Sequence, residues 1–231
     1  MKEITEDLTS YKVCSSTKPT NIDWQTKPFS KPNAHIRLAT VFSGIGAVEQ
    51  AFQRLNLNHS LVFAGDIDSH VKKSYFANYD LDEKDWHDDI TTFDAKPYKG
   101  KVDILVGGSP CQAFSMVGKR HGLEDTRGTL FYDYARVISE VQPKVFIYEN
   151  VKGLINHDNG KTWEVVRDVF DSLGYHLFYQ LMNSRDYGIP QNRERIFIVA
   201  FNEALVPNHA EFQFPEAIPL TKTIHDFLET E

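Results

Sequence analysis

The stretch IRLATVFSGIGAVEQAFQRL, residues 36–55, determines the fold class of this chain. Its first part, 36–42, is a short apolar run of β type, and Gly44 and Gly46 follow it. A helix is predicted next because apolar residues recur at helical spacing on one face: Val48, Ala51, Phe52 and Leu55. A strand, a tight glycine turn and a helix in this order are typical of α/β proteins.

Short apolar runs of the same kind recur downstream. Strands are predicted at four places: 36–42, 61–65, 102–108 and 144–149. A shorter strand is predicted to end at Asp89-Ile90. Two late runs, 175–183 and 195–201, have no helix between them, so we expect them to pair as an antiparallel hairpin. The chain is therefore predicted to be α/β, with a mostly parallel sheet covered by helices.

Composition divides the chain into three parts. Residues 1–35 are polar, contain three prolines and lack a sustained apolar period, which predicts an N-terminal arm or tail. Residues 36–201 carry the regular elements and form the predicted domain. Residues 202–231 contain three further prolines and one short helical segment, which is typical of a connector leading elsewhere.

Charge and cysteine usage exclude several classes of protein. The formal net charge of -7 disfavours a protein that grips nucleic acid over its whole surface, because phosphate neutralisation needs Lys and Arg. No run reaches the ~18 apolar residues of a membrane span, so we expect a cytoplasmic protein without a membrane partner. Cys14 and Cys111 lie in unrelated contexts, which disfavours a disulfide framework. The nine histidines lack the spaced pairs of a zinc site, so no metal is predicted.

Two features suggest a site for an adenosine group. Gly44 and Gly46 suit a backbone that approaches a cofactor closely, and Asp66 after the second strand suits a pair of ribose hydroxyls. Glu49 occupies the third position of the G-x-G-x-x-G pattern, which argues against a nicotinamide enzyme. Asp89 suits an adenine amino group, although an Asp at a strand end is also a common helix cap or turn residue. A bare G-x-G turn is likewise often only a tight connection.

The segment GGSPCQAFS, residues 107–115, indicates a nucleophile. A strand that ends in two glycines and a proline places Cys111 at the carboxyl edge of the sheet, where α/β enzymes bind ligands. A free thiol has a pKa of about 8.5, so catalysis needs a local field that favours the thiolate. The alternative is a small buried cysteine with a packing role.

Three charged residues are candidates to act beside this thiol. Glu149 ends the next strand, so its carboxyl group is expected at the same cleft, where a raised pKa would let it supply a proton. Arg193 and Arg195 lie two residues apart, and an extended segment turns both towards one side. The alternative for each is a surface ion pair or a helix cap.

These motifs, in this order, resemble the bacterial cytosine-5 DNA methyltransferases of restriction-modification systems. The resemblance covers residues 36–201 and includes seven segments: TVFSGIGA, GDID, DDIT, GGSPCQAFS, RGTLFYDYARVI, YENVKGL and YGIPQNRERIFIVAF. It implies a Rossmann-like fold with a mostly parallel seven-stranded sheet that ends in an antiparallel hairpin strand. It also implies S-adenosylmethionine as cofactor and double-stranded DNA as substrate.

The resemblance assigns residues to the cofactor site by position. Its members are Phe42, Ser43, Gly44, Ile45, Gly46, Asp66, Ile67, Asp89, Ile90, Pro110 and Leu130. Two positions depart from the family pattern, because Thr40 stands where Asp is usual and Ala47 where Gly is usual. Ala47 is expected to crowd the cofactor slightly, so the departures affect affinity more than identity.

The resemblance also implies a mechanism in which the target cytosine is flipped out of the duplex. Cys111 adds to ring atom C6, while Glu149 donates to N3 and Arg195 holds O2. The remaining assignments are Arg193 as a support for the loop or for the covalent adduct, and three substrate contacts: Gln112, Ser115 and Asn150. The glycine-rich stretch 115–128 fits a mobile loop that closes over DNA.

Family members continue beyond this point with a target-recognition domain and a later asparagine-containing motif. We therefore expect a catalytic half that binds cofactor poorly and lacks sequence specificity unless a second polypeptide supplies the rest. Two alternatives remain open at the level of sequence. One is an RNA cytosine-5 methyltransferase, and the other is an inactive cofactor-binding or assembly subunit.

Overall fold

Seven strands form a single sheet in the computed structural model, which describes residues 29–110 and 130–228. The strands are β1 (Ile36–Thr40), β2 (His59–Gly65), β3 (Trp86–His87), β4 (Ile104–Gly107), β5 (Val145–Val151), β6 (Tyr175–Asn183) and β7 (Glu194–Asn202). The helices within the same ranges are α1 (Ala47–Arg54), α2 (Ser69–Asn78), α3 (Leu130–Val141), α4 (Gly153–Asn156) and α5 (Lys161–Ser172).

The strand order is β3-β2-β1-β4-β5-β7-β6. All pairs from β3 to β5 are parallel, whereas β7 pairs antiparallel with both β5 and β6. The predicted α/β class, the mostly parallel seven-stranded sheet and the antiparallel C-terminal hairpin are confirmed. The strand order reverses between β1 and β4, and ligands of open α/β sheets bind outside the carboxyl ends of strands at such a point.

Aromatic side chains form much of the hydrophobic core between the sheet and the helices packed on it. The largest fully buried ones include Phe63, Phe131, Tyr134, Phe146, Tyr148 and Phe170. The ring centroids of Phe146 and Phe170 lie 4.8 Å apart, and Phe170 also contacts Phe131 at 5.3 Å. Such tilted and edge-to-face pairs are favourable geometries for aromatic rings. This packing fixes α3 and α5 against β5, whose carboxyl end carries Glu149.

Two local predictions differ from the structure. Asp89 and Ile90 do not end a strand, because β3 stops at His87 and these residues form the following turn. The predicted apolar face of α1 is also only partly buried: Leu55 is 54% exposed. Glu49 is buried instead; two hydroxyl groups donate to its Oε1, whereas its Oε2 has no hydrogen-bond partner in the described part of the chain.

The segments outside the sheet make specific contacts. Residues 29–35 are exposed, and His35 Nε2 lies 2.9 Å from Ser60 Oγ beside β2. After β7 the chain packs on the hairpin, where the ring of Phe212 lies 5.3 Å from that of Phe178. Further along, the backbone N–H of Ile218 donates to the carbonyl of Asp186 at 2.8 Å. The predicted division into arm, domain and connector stays a prediction, with the connector in contact with the hairpin as far as residue 218.

Asp103 joins the amino ends of β1, β4 and β5. Its carboxylate accepts hydrogen bonds from the backbone N–H, Nε and Nη2 of Arg37 at 2.9 to 3.0 Å. Lys144 Nζ lies 2.9 Å from Oδ1 of the same carboxylate. The side-chain hydrogen bond from Arg37 is the main cause that holds the pKa of Asp103 well below its usual range. The Asp103 side chain is only 15% exposed, so solvent screens this network weakly.

We expect Asp103→Asn to lower the free energy of unfolding at pH 7 by about 1–3 kcal/mol, the usual range for hydrogen bonds to a charged group. Because the folded-state pKa of Asp103 is depressed, its stabilisation is complete above the unfolded value of about 3.9 and is lost as the pH falls below it. The variant should therefore lose less stability than the parent between pH 7 and pH 3. Urea unfolding at both pH values measures this difference.

Asp80→Asn is the matched control, because Asp80 is exposed. It should leave both the stability and its pH dependence unchanged. An Asp103→Asn variant as stable as the parent at pH 7 would show that the network contributes nothing net.

Candidate cofactor and catalytic site

The loop after β1 crosses from the end of that strand to the end of β2. Val41 still follows the sheet, since its N–H donates to the carbonyl of Val106 at 3.0 Å. Ser43 Oγ then accepts from the N–H of Gly65 at 3.0 Å and lies 3.1 Å from its carbonyl. This hydroxyl joins the loop to β2, so the loop has one position relative to both strand ends.

Unusual backbone angles shape this loop. Phe42, Gly44 and Gly46 have φ values of 54°, 54° and 87°. The left-handed region is uncommon for an aromatic residue, and such conformations cluster at functional sites. Gly46 is required for a further reason: a Cβ atom there would lie 2.0 Å from the ring of Tyr79. The Tyr79 hydroxyl donates to the carbonyl of Gly46 at 2.7 Å and so holds the turn.

Asp66 links this loop to the start of α2. Its Oδ2 accepts from the N–H of Gly44 at 3.0 Å, and its Oδ1 accepts from the N–H of Asp68 at 3.1 Å. Asp68 in turn caps α2 by accepting from the N–H of His70 at 2.7 Å. The carboxylate of Asp66 is thus fixed at the carboxyl end of β2, as the sequence predicted.

A cavity of about 220 Å³ opens at the carboxyl ends of β1, β2 and β4. Its lining residues are Val41, Phe42, Gly65, Asp66, Ile67, His87, Asp88, Asp89, Ile90, Phe93, Gly108, Pro110 and Leu130. It brings together most of the predicted cofactor residues, although they come from five separate segments of sequence. The predicted residues Ser43, Gly44, Ile45 and Gly46 form the adjacent turn and do not line it.

The cavity combines apolar walls with carboxylates. Asp66, Asp88 and Asp89 all line it, next to Phe42 and Ile90. Asp89 is also a turn residue, because its Oδ1 accepts from the N–H and hydroxyl of Thr91 at 2.9 and 2.8 Å. Asp89 is thus a turn residue that also lines the cavity, and its predicted contact with an adenine amino group stays a prediction. Such a lining suits a ligand with a flat apolar ring, hydroxyl donors and positive charge.

His87 also lines the cavity, although it was not among the residues predicted from the sequence. Its ring stacks on Phe93 with centroids 3.5 Å apart. Burial lowers the pKa of His87 to about 4, so the imidazole is neutral at neutral pH. Its Nε2 is buried without a hydrogen-bond partner in the described part of the chain. The position directly before the acidic pair Asp88-Asp89 was the available signal.

Glu49 is a second residue whose role sequence reasoning missed. Its Oε1 accepts from the hydroxyls of Thr40 and Tyr75, each at 2.7 Å. Thr40 Oγ1 also lies 2.8 Å from Ser43 Oγ, so the network continues into the loop. Thr40 occupies the position where the resembling family usually has Asp. The carboxylate next to the loop after β1 is therefore that of Glu49 in α1, and not that of an Asp at position 40.

Glu149 and Arg195 form an ion pair at the same edge of the sheet. Arg195 Nε lies 3.0 Å from Glu149 Oε1. The register explains the contact: Arg195 pairs with Val151, two residues beyond Glu149, and residues two apart share a face of the sheet. A Cβ atom on Gly108 would lie 3.1 Å from Glu149 Oε2, so this carboxylate borders the cavity wall.

Asn150 lies behind the turn that leads to residue 111. It is buried, and its Nδ2 donates to the carbonyl of Ser109 at 2.9 Å and to the Tyr148 hydroxyl at 2.8 Å. Its Oδ1 accepts from the N–H of Val151 at 2.9 Å. The Ser109 hydroxyl lies 2.8 Å from that of Tyr148. These bonds fix the backbone of Ser109; the predicted substrate contact of Asn150 stays a prediction.

The other predicted residues fall into two groups. Arg193 is exposed just before β7, and its backbone N–H donates to Asn183 Oδ1 at 3.1 Å. Cys111, Gln112 and Ser115 lie outside the described residues. The structure therefore brings Glu149, Arg195 and Pro110 to one edge, and Pro110 directly precedes the predicted nucleophile.

Comparisons with known proteins agree with the motifs. The model of the family described as C-5 cytosine-specific DNA methylase matches residues 36–231. Type II methyltransferase M.SsoII of Shigella sonnei is 40% identical over 222 residues, covering 92% of this chain and 57% of that protein. Orphan methyltransferase M.SPRI of Bacillus phage SPR is 45% identical over 173 residues, covering 75% of this chain and 39% of that protein. The chain spans about half the length of the curated relatives it matches.

Solved structures resemble the fold at lower identity. The Dnmt2 methyltransferase of S. pombe has a TM-score of 0.61 at 23% identity, covering 86% of this chain and 61% of that one. A mutant of Spodoptera frugiperda DNMT2 has a TM-score of 0.68 at 21% identity, covering 86% and 60%. Among residues 29–110 and 130–228, none of the helices is both long and apolar enough to cross a bilayer.

Proposed function

Because this chain belongs to the C-5 cytosine-specific DNA methylase family, we propose that it is the catalytic region of a DNA cytosine-5 methyltransferase. The observation that carries the proposal is the position of the Glu149–Arg195 ion pair against Gly108, a wall residue of the acidic cavity. The proposed cofactor site and the predicted proton donor meet there, three residues before Cys111 in the sequence. Duplex DNA is the proposed substrate, and a cytoplasmic location stays a prediction.

The cavity fits part of S-adenosylmethionine. Its apolar walls suit an adenine ring, Asp66 is placed for ribose hydroxyls, and three carboxylates complement a positively charged sulfonium. Its volume of about 220 Å³ lies below the range of about 300–1,000 Å³ for pockets that enclose a whole drug-sized ligand. The described residues would therefore hold the nucleoside end. When bound, the cofactor supplies an electrophilic methyl group.

We expect Asp66→Ala to weaken binding of S-adenosylmethionine by about 10- to 100-fold. The change removes the carboxylate acceptor for ribose, and a hydrogen bond to a charged group is worth about 1.5–3 kcal/mol. It also removes the acceptor that orients the N–H of Gly44 in the turn. Isothermal titration calorimetry with the cofactor measures the dissociation constant. Asp80→Ala removes an exposed acid elsewhere and should bind like the parent. Equal affinity in Asp66→Ala would remove this residue from the site.

The residues of this chain suggest how the target cytosine would be activated. The thiolate of Cys111 forms a bond to C6 of a flipped cytosine, and the ring electrons move towards C5 while N3 accepts a proton from Glu149. Once C5 carries the methyl group, a base removes the C5 proton, the N3 proton returns to Glu149 and the C6–S bond breaks, which releases the thiolate and restores the aromatic ring. Arg195 is proposed to oppose charge at O2. Its Nε contacts Glu149 and its Nη1 donates to the carbonyl of Glu194, and Nη2 has no partner among the described residues.

Sequence specificity is proposed to come from residues outside this chain. The relatives are about twice as long, and the net charge of -7 gives little general affinity for phosphates. The remaining part is either continuous with this chain or supplied by a second polypeptide. The chain alone is then expected to transfer methyl groups slowly and without sequence preference.

Transfer of a labelled methyl group tests the proposal. The chain is incubated with labelled S-adenosylmethionine and an equal mixture of duplex DNA and tRNA, alone and with a polypeptide that covers the rest of a relative. Label in DNA cytosine supports the proposal, whereas preferential label in tRNA supports the RNA alternative. Cofactor binding without transfer, and without covalent capture of 5-fluorocytosine DNA, would identify an inactive binding module.

A further inference from the structure

His176, Glu203 and His209 come together at the opposite edge of the sheet from β3. Their ligand atoms, one from each side chain, all lie within 4.8 Å of one another. His176 belongs to β6, the outermost strand, and the other two follow β7. The cavity described above lies at the ends of β1, β2 and β4, so this cluster is separate from the proposed catalytic site.

The hairpin register explains why two of these residues meet. His176 pairs with Phe201 in the antiparallel ladder between β6 and β7. Glu203 follows two residues later and therefore projects from the same face as Phe201. Diagonal neighbours across a strand pair are within reach of long side chains, and His176 Nδ1 lies 3.8 Å from Glu203 Oε1.

His209 is oriented by its own backbone. After β7, the N–H of Val206 donates to the carbonyl of Asn202 at 2.9 Å, which turns the chain back towards the hairpin. His209 Nδ1 lies 2.8 Å from the carbonyl of Val206. A carbonyl oxygen only accepts, so Nδ1 carries the proton and Nε2 of the neutral ring keeps its lone pair. A backbone carbonyl on one ring nitrogen is the usual support for a metal bound to the other.

We propose that His176, Glu203 and His209 form a site for a divalent transition metal, with Zn²⁺ as the best-matched ion. Two imidazoles and one carboxylate are ligands that zinc prefers, and water would complete four-coordination. Bonds of about 2.0–2.1 Å in a tetrahedron place ligand atoms about 3.4 Å apart. The side chains of His176 and Glu203 are 47% and 59% exposed, so small rotations bring the atoms to this spacing.

A metal at this position would fasten the connector to the edge strand. The segment after β7 already packs on the hairpin through Phe212, whose ring lies 5.2 Å from that of Phe201. A metal ion bound by both His209 and His176 would attach the connector to β6 at a second point. The connector would then cover the outer edge of this strand. The sequence predicted no metal, because these ligands lack zinc-finger spacing and only the strand register brings them together.

Zinc titration of the intact chain tests the proposal. After dialysis against a chelator, calorimetry should show one Zn²⁺ bound per chain. His176→Gln, Glu203→Gln and His209→Gln should each weaken zinc affinity at least about tenfold, because each removes one of three protein ligands. His70→Gln and Glu211→Gln are the matched controls, and both should bind zinc like the parent.

Two further measurements distinguish this site from zinc held elsewhere. The absorption spectrum of bound Co²⁺ should show tetrahedral coordination in the parent and lose it in the His176→Gln, His209→Gln double variant. The melting temperature of the parent should rise with Zn²⁺ and return after chelation, while that of the double variant should not change. No zinc bound in the parent, or full zinc affinity in the double variant, would overturn the proposal. These readouts do not involve methyl transfer, so they are independent of the proposed function.

Discussion

Replacing Cys111 with Ala is expected to abolish methyl transfer to cytosine in duplex DNA, with a rate loss of roughly four orders of magnitude or more. Without a thiolate, no covalent bond to C6 forms and C5 stays too weakly nucleophilic to accept a methyl group. The residues leading to position 111 support the assignment. Pro110 lines the cavity, and buried Asn150 fixes the carbonyl of Ser109. Cys111 itself lies outside the described residues.

The experiment measures both methyl transfer and covalent capture of DNA. Labelled methyl incorporation gives the rate, and duplex DNA that contains 5-fluorocytosine should form a covalent complex with the parent but not with Cys111→Ala. Cofactor affinity should stay within about twofold, because the side chain acts on the base. Cys14→Ala removes the other cysteine and should keep full activity. Transfer by Cys111→Ala at more than one tenth of the parental rate would reject this nucleophile.

Much of the fold could be predicted because its signals are local in sequence. The run 36–42 is apolar and ends at a glycine turn, and the same pattern recurs at 102–108. The hairpin of β6 and β7 could be predicted because no helix separates its strands. Asp66 and Asp89 could be selected because each follows a predicted strand, whereas Pro110 was assigned to the cofactor site by the family resemblance; all three line the cavity.

The remaining site features depend on contacts between distant segments. The buried position of Glu49 depends on hydrogen bonds from the hydroxyls of Thr40 and Tyr75, which lie in other elements. Helical periodicity predicted instead that only apolar residues of α1 would be buried. His87 enters the cavity because its ring stacks on Phe93, which no spacing rule predicts. The cluster of His176 and Glu203 depends on the register of the hairpin. Each of these contacts depends on how separate elements pack together. Hydrophobic periodicity predicts the helix or strand to which a residue belongs, but not its contacts with distant segments.

Changing Glu149 to Gln is expected to lower the rate of methyl transfer by about 10²- to 10⁴-fold, the range for loss of a general acid. Gln has nearly the same shape and keeps a hydrogen bond to the base, but it cannot deliver a proton to N3. The ion pair with Arg195 at 3.0 Å would be replaced by a hydrogen bond from the charged guanidinium to the neutral amide oxygen of Gln. The loss should therefore fall on the transfer step, with cofactor affinity within about twofold of the parent.

Single-turnover transfer with saturating cofactor and DNA measures this step directly. Glu194→Gln is the matched control, because Glu194 lies in β7 next to Arg195 and its carboxylate contacts Lys152 Nζ at 3.0 Å instead. It should transfer at nearly the parental rate. The double variant Glu149→Gln, Arg195→Gln should be slower than Glu149→Gln alone, because Arg195 is proposed to oppose charge at O2 as well as to contact Glu149. The two losses should combine less than additively, because the side chains contact each other. A double variant no slower than Glu149→Gln alone would reject the separate role of Arg195, and parental activity in Glu149→Gln would reject Glu149 as the acid.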